Sequence, residues 1–191
     1  MRLPGNKLRP TSEDAFHIDL WVNGINVICD TGSYSYNAGR ETDDFKSVAA
    51  HNTIQFDDQP QMPKISRFLY GGWLSATIIK PLEEIGGEFN FSASYTDHNK
   101  NEHKREFKLD ANNKSLLVID SFDKSTETKA TASWHTAQNS NLTFKVTDQE
   151  SNILEPKITA AESSLYYLEK HSVSKLRFST KTDEIRTFIN F

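Results

Sequence analysis

Two histidines and an aspartate are spaced so that their side chains could share one face of a β-sheet. His17 and Asp30 belong to two alternating runs that flank Asn23-Gly24, and the expected pairing places them opposite each other. Directly opposed residues in antiparallel strands have Cβ atoms roughly 4.5–5.5 Å apart, so these two can form a hydrogen bond or share a metal ion. His51 opens a third alternating run and falls on the same polar face. The alternative is a hydrogen-bonded polar cluster that only fixes the strand register.

The element that must position these residues is a hairpin over residues 16–30. Asn23-Gly24 between alternating runs predicts a two-residue type I′ turn. The register that follows from this turn pairs Val22 with Ile25, Leu20 with Val27, Asp19 with Ile28, and His17 with Asp30. The face expected to meet the core is then wholly apolar and consists of Ile18, Leu20, Val22, Ile25, Val27 and Cys29. The opposite face consists of His17, Asp19, Trp21, Asn26, Ile28 and Asp30.

The rest of the chain has the pattern of an all-β domain. Residues 1–14 have linker composition, and residues 15–191 are expected to form one domain. Strands are predicted over residues 51–57, 65–69, 73–79, 88–95, 102–109, 115–122, 130–135, 142–147, 153–159, 164–169, 174–180 and 185–191, with a short helical turn around 43–49. Short strands at this spacing with turn residues between them indicate a sandwich or barrel. We expect an antiparallel two-sheet β-sandwich.

Charge and hydropathy exclude two classes of partner. The formal net charge of the 191 residues is −4, and no basic block is present that could neutralise a phosphate backbone, so we expect no nucleic acid partner. No apolar run approaches eighteen residues, so we expect no membrane span. The single cysteine, Cys29, excludes an internal disulfide and is expected to be a buried thiol.

Three short motifs resemble the signature of the heparinase II/III-like family. They are His17-x-Asp19-Leu20, the run from Asp30 to Tyr36, and His51-Asn52-Thr53-Ile54. Proteins of this family look like bacterial polysaccharide lyases, built from an α/α toroid followed by an antiparallel β-sandwich. The resemblance covers the second domain only and is dense over residues 15–73. It implies that residues 1–14 are a linker from an N-terminal toroid of the same parent protein, which would be a partner of the sandwich.

The resemblance also implies a metal site. In family members with a bound metal, the ligands correspond here to His17, Asp30 and His51, and two imidazoles with one carboxylate favour zinc among divalent metals. Asp19 would orient a ligand histidine from behind, although an exposed carboxylate on a strand needs no such role.

Residues that contact substrate are expected beside this metal site. Tyr34, Tyr36 and Asn52 are predicted to face the substrate, and Tyr34, Tyr36 and His51 are the candidates for catalysis. The alternative for the tyrosines is that they cap the edge of the sandwich. Some lyases of the group carry a catalytic histidine at the position where this chain has Ala15.

The implied function is cleavage of an acidic, uronic-acid-containing polysaccharide by β-elimination, in the periplasm or another extracytoplasmic compartment. The sandwich alone is expected to be inactive, because in the family the toroid supplies further catalytic groups. The alternative is a non-catalytic carbohydrate-binding or structural domain in bacterial polysaccharide metabolism.

Overall fold

Strands dominate the computed structural model, which describes residues 1–4, 10–35, 39–66 and 69–191. Within these ranges the helical segments are α1 (Arg40–Lys46) and a 3₁₀ turn (Val48–Ala50), close to the predicted helical turn. The strands are β1 (Leu20–Val22), β2 (Ile25–Ile28), β3 (Ile54–Phe56), β4 (Lys64–Ser66), β5 (Leu69–Tyr70), β6 (Thr77–Ile85), β7 (Glu88–Thr96), β8 (Glu102–Asp110), β9 (Ser115–Asp123), β10 (Ala130–Ala137), β11 (Thr143–Asp148), β12 (Lys157–Ser163), β13 (His171–Thr180) and β14 (Glu184–Asn190).

Two large antiparallel sheets confirm the predicted β-sandwich. The first has the order β1-β2-β10-β13-β12, and β3 pairs with another part of β10. The second has the order β11-β14-β9-β8-β7-β6, and β4 and β5 form a separate small hairpin. Hairpins join consecutive strands from β6 to β9 and from β12 to β13, whereas β10 and β14 pair with strands that are not their neighbours in sequence. No helix in the described ranges has the length and apolar character needed to cross a bilayer.

The main core lies between the two sheets. Trp134 on β10 is completely buried there, and Phe178 on β13 is 2% exposed. The apolar side chains that close this space come from both sheets: Ile18, Leu20, Ile28, Ile54, Phe56, Leu116, Val118, Phe122, Ala130, Ala132, Val146, Ile185 and Ile189. Burying large apolar side chains contributes about 1.5–3 kcal/mol each, so this layer supplies most of the stabilisation.

A second apolar cluster fixes the segment that precedes β1. Phe16 is completely buried, and its ring makes an edge contact with Tyr95 of β7 at 4.9 Å between centroids. Met62, Tyr70 and Leu74 cover the same part of the second sheet. Because Phe16 is held by these contacts, the adjacent His17 is held at a fixed position near the sheet.

The first hairpin confirms the predicted turn but corrects the predicted register. Asn23 and Gly24 have φ of 50° and 80°, as a type I′ turn requires, and Val22 pairs with Ile25. Leu20 then pairs with Ile28, because Val27 is an extra residue in a β-bulge. The predicted pairs Leu20 with Val27 and Asp19 with Ile28 are therefore wrong.

Two residues of β2 lie on the face opposite to the predicted one. Ile28, predicted on the polar face, is completely buried in the core, whereas Ile25, predicted in the core, is 63% exposed. The inserted residue explains the position of Ile28, because side chains alternate along a strand and one extra residue moves the next side chain to the other face. Ile25 precedes the bulge and is exposed beside the turn. The ladder ends at Leu20 and Ile28, so His17 and Asp30 lie beyond it and are not a strand pair.

Other strand boundaries differ where distant contacts override the local pattern. The predicted strand over 164–169 is a loop with one isolated bridge, from Gly32 to Ser164. The predicted strand over 51–57 is shortened to β3 at residues 54–56. Residues 73–76 are not strand, and β6 continues through Pro81 to Ile85.

The edge strand β6 tolerates Pro81 because its other side has no partner. All nine residues of β6 are exposed, and its pairing with β7 shifts register between Ile78 and Lys80 and again between Lys80 and Glu83. A proline lacks the amide N–H of a ladder and is accommodated at sheet edges and bulges.

Candidate functional site

A cavity of about 500 Å³ opens beside the bulged hairpin. Three carboxylates line it, from Asp14, Asp19 and Asp30, together with His51 and the guanidinium of Arg2. Trp21 also lines the cavity and is 57% exposed. Lys46 lines the cavity as well, so its wall carries three carboxylates and two side-chain cations.

His17, Asp30 and His51 meet beside this cavity, and two of them, Asp30 and His51, line it. The Nε2 atom of His17 lies 3.9 Å from Oδ2 of Asp30, and Nδ1 of His51 lies 3.3 Å from Oδ1 of Asp30. The two imidazole rings are nearly perpendicular, with centroids 5.4 Å apart. His17 and His51 are almost completely buried, so the polar face predicted for them is an enclosed site and not an open sheet surface.

These side chains belong to three segments that lie outside the β-strands. His17 precedes β1, Asp30 follows β2, and His51 follows the 3₁₀ turn at residues 48–50. Thr31 Oγ1 donates to the carbonyl of Ala50 at 2.8 Å, which joins the Asp30 segment to the His51 segment.

Asp30 is held in its ionised form. Burial opposes ionisation, but His51, His17 and the amide N–H of Gly32 outweigh that effect and hold the pKa of Asp30 well below its usual range. The Gly32 amide donates to Oδ1 at 3.0 Å. The Asp30 carboxylate is therefore ionised at neutral pH.

Asp19 lies close to His17, but beside Nε2, the ring nitrogen that faces Asp30, whereas Nδ1 on the other side of the ring accepts from Asn52. Oδ1 of Asp19 is 3.4 Å from Nε2 of His17. Ligand atoms of His17, Asp19 and Asp30 all lie within 4.8 Å of one another, a spacing that one metal ion can bridge. Asp19 is thus near enough either to orient the imidazole or to bind the cation itself.

Three buried imidazole nitrogens of His17 and His51 are available as metal ligands. Nε2 of His17 and both ring nitrogens of His51 are buried and make no hydrogen bond of ordinary geometry, although carboxylate oxygens of Asp19 and Asp30 lie 3.4 Å from Nε2 of His17 and 3.3 Å from Nδ1 of His51. Buried polar groups without partners are rare and costly, so a water molecule or a metal ion would satisfy these atoms. Together with the Asp30 carboxylate they form the nitrogen and oxygen donor set that zinc binds.

The two histidines fit a metal unequally. The backbone N–H of Asn52 donates to Nδ1 of His17 at 2.9 Å, so in the neutral ring the proton lies on Nε2. Ligation by Nε2 of His17 requires loss of that proton or of the Asn52 hydrogen bond. His51 has no such constraint on either nitrogen.

The side chain of Asn52 is a buried crosslink, which corrects its predicted position facing substrate. Nδ2 donates to the carbonyls of Ile18 at 3.0 Å and Cys29 at 2.8 Å. Oδ1 accepts from the backbone N–H of His135 at 2.7 Å and from its Nδ1 at 3.0 Å. Asn52 is completely buried, and its carboxamide is fully used inside the protein.

His135 supports this crosslink as a neutral ring. Burial and the nearby charge of Lys175 lower the pKa of His135 to about 3. Since Oδ1 of Asn52 only accepts, the imidazole proton lies on Nδ1. His135 is therefore a hydrogen-bond donor that fixes Asn52.

Tyr34, one of the two tyrosines predicted to face the substrate, packs against neighbouring side chains. The Tyr34 ring stacks on Phe45 with centroids 5.7 Å apart, and the ammonium of Lys170 lies 4.6 Å from its centre. Its carbonyl accepts from the N–H of Leu168 at 2.9 Å. This packing matches the alternative in which Tyr34 caps the edge of the sandwich. Tyr36 lies outside the described residues.

A buried ionic cluster behind the site was missed by the sequence analysis. Arg105 donates through Nε to Oδ1 of Asp120 at 2.6 Å and through Nη2 to Oδ2 at 2.9 Å. Nε2 of His103 lies 2.6 Å from Oδ1 of the same carboxylate. All three side chains are completely buried. Burial opposes the charge on Asp120, but Arg105 and His103 hold its pKa below the usual range.

Arg105 connects this cluster to the candidate site. Its Nη1 donates to the carbonyls of Phe16 at 2.7 Å and Asn52 at 2.8 Å, the residues directly before His17 and directly after His51. The signal in the sequence was the spacing of two between His103 and Arg105, which places both on one face of β8. Recognising it would have required knowing that Arg105 pairs with Asp120 on β9.

Comparisons with known proteins show the family of the chain and its fold. A sequence model of the family described as Heparinase II/III-like, C-terminal, matches residues 4–186. No curated protein matches the chain.

Solved structures with the same fold include lyases that are much longer. A heparinase III with methylated lysines has a TM-score of 0.77 at 14% sequence identity, and the heparan sulfate lyase HepC from Pedobacter heparinus has a TM-score of 0.75 at 14%. Each alignment covers 94% of this chain and 30% of the solved chain. At this identity the likeness shows the fold, and the chain spans about 30% of the length of these lyases.

Proposed function

Because the chain belongs to the heparinase II/III-like family as its C-terminal domain, we propose that it forms one wall of the cleft of a polysaccharide lyase that acts on an acidic glycan. The observation that supports this most is that His17, Asp30 and His51, from the three family motifs, meet beside a cavity that Asp30 and His51 line. The similar solved chains are named as a heparinase III and a heparan sulfate lyase.

The proposed reaction makes three demands on the cleft. β-Elimination removes the proton next to a uronic carboxylate and expels the glycosidic oxygen, so it needs a base, an acid and a group that neutralises the developing charge. A divalent cation bound at Asp30 and His51 would supply positive charge for that neutralisation. The protein's own residues hold this position, since Asn52 and Arg105 fix the backbone on both sides of it.

The base and acid are expected from elsewhere in a parent protein. Ala15, where some family lyases carry a histidine, is buried and has no ionisable group. Tyr34 packs against Phe45 and Lys170, so its phenol is not directed by any described contact toward the cavity. We therefore assign this chain a binding and positioning role, with an N-terminal toroid as the partner that completes the cleft.

The 191-residue chain should bind acidic oligosaccharides but show no appreciable turnover. Loss of a general acid or base removes about 10²–10⁴-fold of rate for each role, so the missing groups dominate. Incubation with heparan sulfate or alginate, followed by the ultraviolet absorbance of unsaturated products, measures turnover. Quenching of the cavity residue Trp21 measures binding, with dextran as the neutral control.

The outcomes separate the two classes of function. A metal-dependent rise in absorbance from this chain alone would contradict the division of roles between two domains. Absence of binding to both acidic glycans would favour a structural domain without a carbohydrate ligand.

For the cation, we propose His17, Asp30 and His51 as ligands and zinc as the metal, with Asp19 beside His17. Removing His51 should weaken zinc binding by more than about tenfold, the lower range found even for residues behind a ligand. Removing His17 should cost less, because its proton on Nε2 already opposes ligation. Calorimetric titration of zinc into wild type, His51→Ala and His17→Ala measures both effects.

A histidine outside the cavity provides the matched control. His171 on β13 is exposed and lies 4.0 Å from Glu169, so His171→Ala should leave zinc affinity unchanged. Equal affinities for wild type and His51→Ala would reject the proposed ligand set. A larger loss in His17→Ala than in His51→Ala would reject the proton assignment at His17.

A further inference from the structure

The guanidinium of Arg2 already lies beside the carboxylate that the cation would use. Nη2 of Arg2 donates to Oδ2 of Asp30, and Nη1 donates to Oδ2 of Asp14 at 2.6 Å. The Arg2 side chain is about half exposed at the rim of the cavity, whereas Asp30 is largely buried below it. One cation thus bridges two carboxylates at the mouth of the site.

The backbone of the amino-terminal segment fixes this position. The N–H of Arg2 donates to the carbonyl of His17 at 2.8 Å, and the N–H of Phe16 donates to the carbonyl of Arg2 at 2.8 Å. Met1 packs against the apolar clusters that hold Phe16. Arg2 is therefore paired in register with His17 and is not a free side chain on the surface.

Arg2 and a metal ion would need the same oxygen of Asp30. Oδ2 is the atom that receives the guanidinium and the atom nearest to Nε2 of His17, at 3.9 Å. A divalent cation between Asp30 and the histidines would lie next to the guanidinium charge without a screening group between them. Like charges at such distances repel strongly in a partly buried site.

We propose that Arg2 and a divalent cation are alternative counterions of Asp30. The amino-terminal segment then lowers the cation affinity of the site, and the guanidinium moves to Asp14 alone when the cation binds. This inference rests on the cation site of the proposed function and adds a residue that regulates it. Once Arg2 pairs with Asp14 alone, Asp19 and Asp30 are the cavity carboxylates that remain for the cation.

Two substitutions of Arg2 separate charge from packing. Arg2→Gln keeps a long polar side chain and removes the charge, so zinc should bind roughly tenfold more tightly than to wild type. Arg2→Lys keeps the charge and should stay close to wild type. Arg186→Gln is the matched control, because Arg186 is exposed on β14 and pairs with Glu184 at 2.6 Å far from the motif residues.

Calorimetric zinc titration of the four proteins gives the decisive comparison. Tighter binding in Arg2→Gln alone supports the proposal, including the case in which wild type shows no measurable binding. Equal or weaker binding in Arg2→Gln, with wild type binding zinc, overturns the proposal and leaves the cation site intact. Absence of zinc binding in all four proteins overturns both the role of Arg2 and the cation site. An equal gain of affinity in Arg186→Gln would mean that the effect comes from the net charge of the protein, and it overturns the role of Arg2.

A measurement on unaltered protein guards against misfolding of the variants. In ¹⁵N-labelled wild type, the Nε–H resonance of Arg2 should shift on zinc addition, because the guanidinium loses its Asp30 partner. The corresponding resonance of Arg186 should not move. A constant Arg2 resonance at saturating zinc would overturn the proposal.

Discussion

Replacing Asp120 with alanine is expected to lower the free energy of unfolding by about 3–5 kcal/mol, the range for a buried charge that loses its partner. The Asp120 carboxylate is completely buried and accepts two hydrogen bonds from Arg105. Without it the guanidinium remains between the sheets with only the carbonyls of Phe16 and Asn52 as acceptors. Urea denaturation followed by circular dichroism measures the loss.

An exposed ion pair provides the control for Asp120. Glu127 lies 3.0 Å from Lys181, and both side chains are mostly exposed. Glu127→Ala should therefore cost less than about 1 kcal/mol. Similar losses in the two variants would mean that the buried cluster contributes no more than a surface pair. The Asp120 variant should also weaken zinc binding, because Arg105 holds the backbone beside both candidate histidines.

Replacing Gly32 with alanine is expected to lower the free energy of unfolding by about 2–5 kcal/mol. Gly32 has φ of +78°, which costs a residue with a Cβ about 1–2 kcal/mol. A Cβ there would also overlap the carbonyl oxygen of Ser164, and relieving such overlap adds about 1–3 kcal/mol. The Gly32 amide donates to Asp30, so zinc affinity should fall in the same variant.

Replacing Gly24 with alanine measures the cost of the backbone strain without the steric overlap with Ser164. The φ of Gly24 is +80°, almost the same as that of Gly32, but no atom lies within 4 Å of the position a Cβ would take. Gly24→Ala should therefore cost only the backbone term of about 1–2 kcal/mol and leave zinc affinity unchanged. Chemical denaturation of both variants gives the comparison, and equal losses would show that the 164–168 loop moves away without cost.

The hairpin illustrates which features of the fold were predictable from the sequence. The Asn23-Gly24 turn is a local property, and it was predicted correctly together with the pair Val22 and Ile25. The bulge at Val27 is not a local property, because it pairs Ile28 with Thr136 of β10 and turns the Ile28 side chain into the core. Alternation alone has no information about an inserted residue.

The candidate site was anticipated by an argument that was only partly right. His17, Asp30 and His51 do meet, but through the segments outside the ladder and not through strand pairing. Their convergence depends on Asn52 and Arg105, whose partners are up to 89 residues away in sequence. Such contacts leave no periodic signal.

The predicted strand over residues 164–169 is wrong for a similar reason. Its apolar and aromatic residues have the composition of a strand, but two backbone hydrogen bonds attach it to the segment after β2. They run from Ser164 N–H to Thr31 at 2.6 Å and from Leu168 N–H to Tyr34 at 2.9 Å. Gly32 permits this attachment because its missing Cβ leaves room for the carbonyl of Ser164. No pattern in the neighbouring sequence predicts this contact.

The outer edge of β6 determines how this domain behaves at high concentration. An exposed strand of nine residues with Ile78, Leu82 and Ile85 is a template on which another chain could add a strand and start a fibril. Pro81 interrupts the row of amide donors at its centre, and the two register shifts bend the backbone away from a straight edge. Lys80, Glu83 and Glu84 bring charge to the same segment, so an incoming strand meets missing donors, curvature and repulsion together. The edge that is accessible along its whole length is therefore poorly suited to templating aggregation.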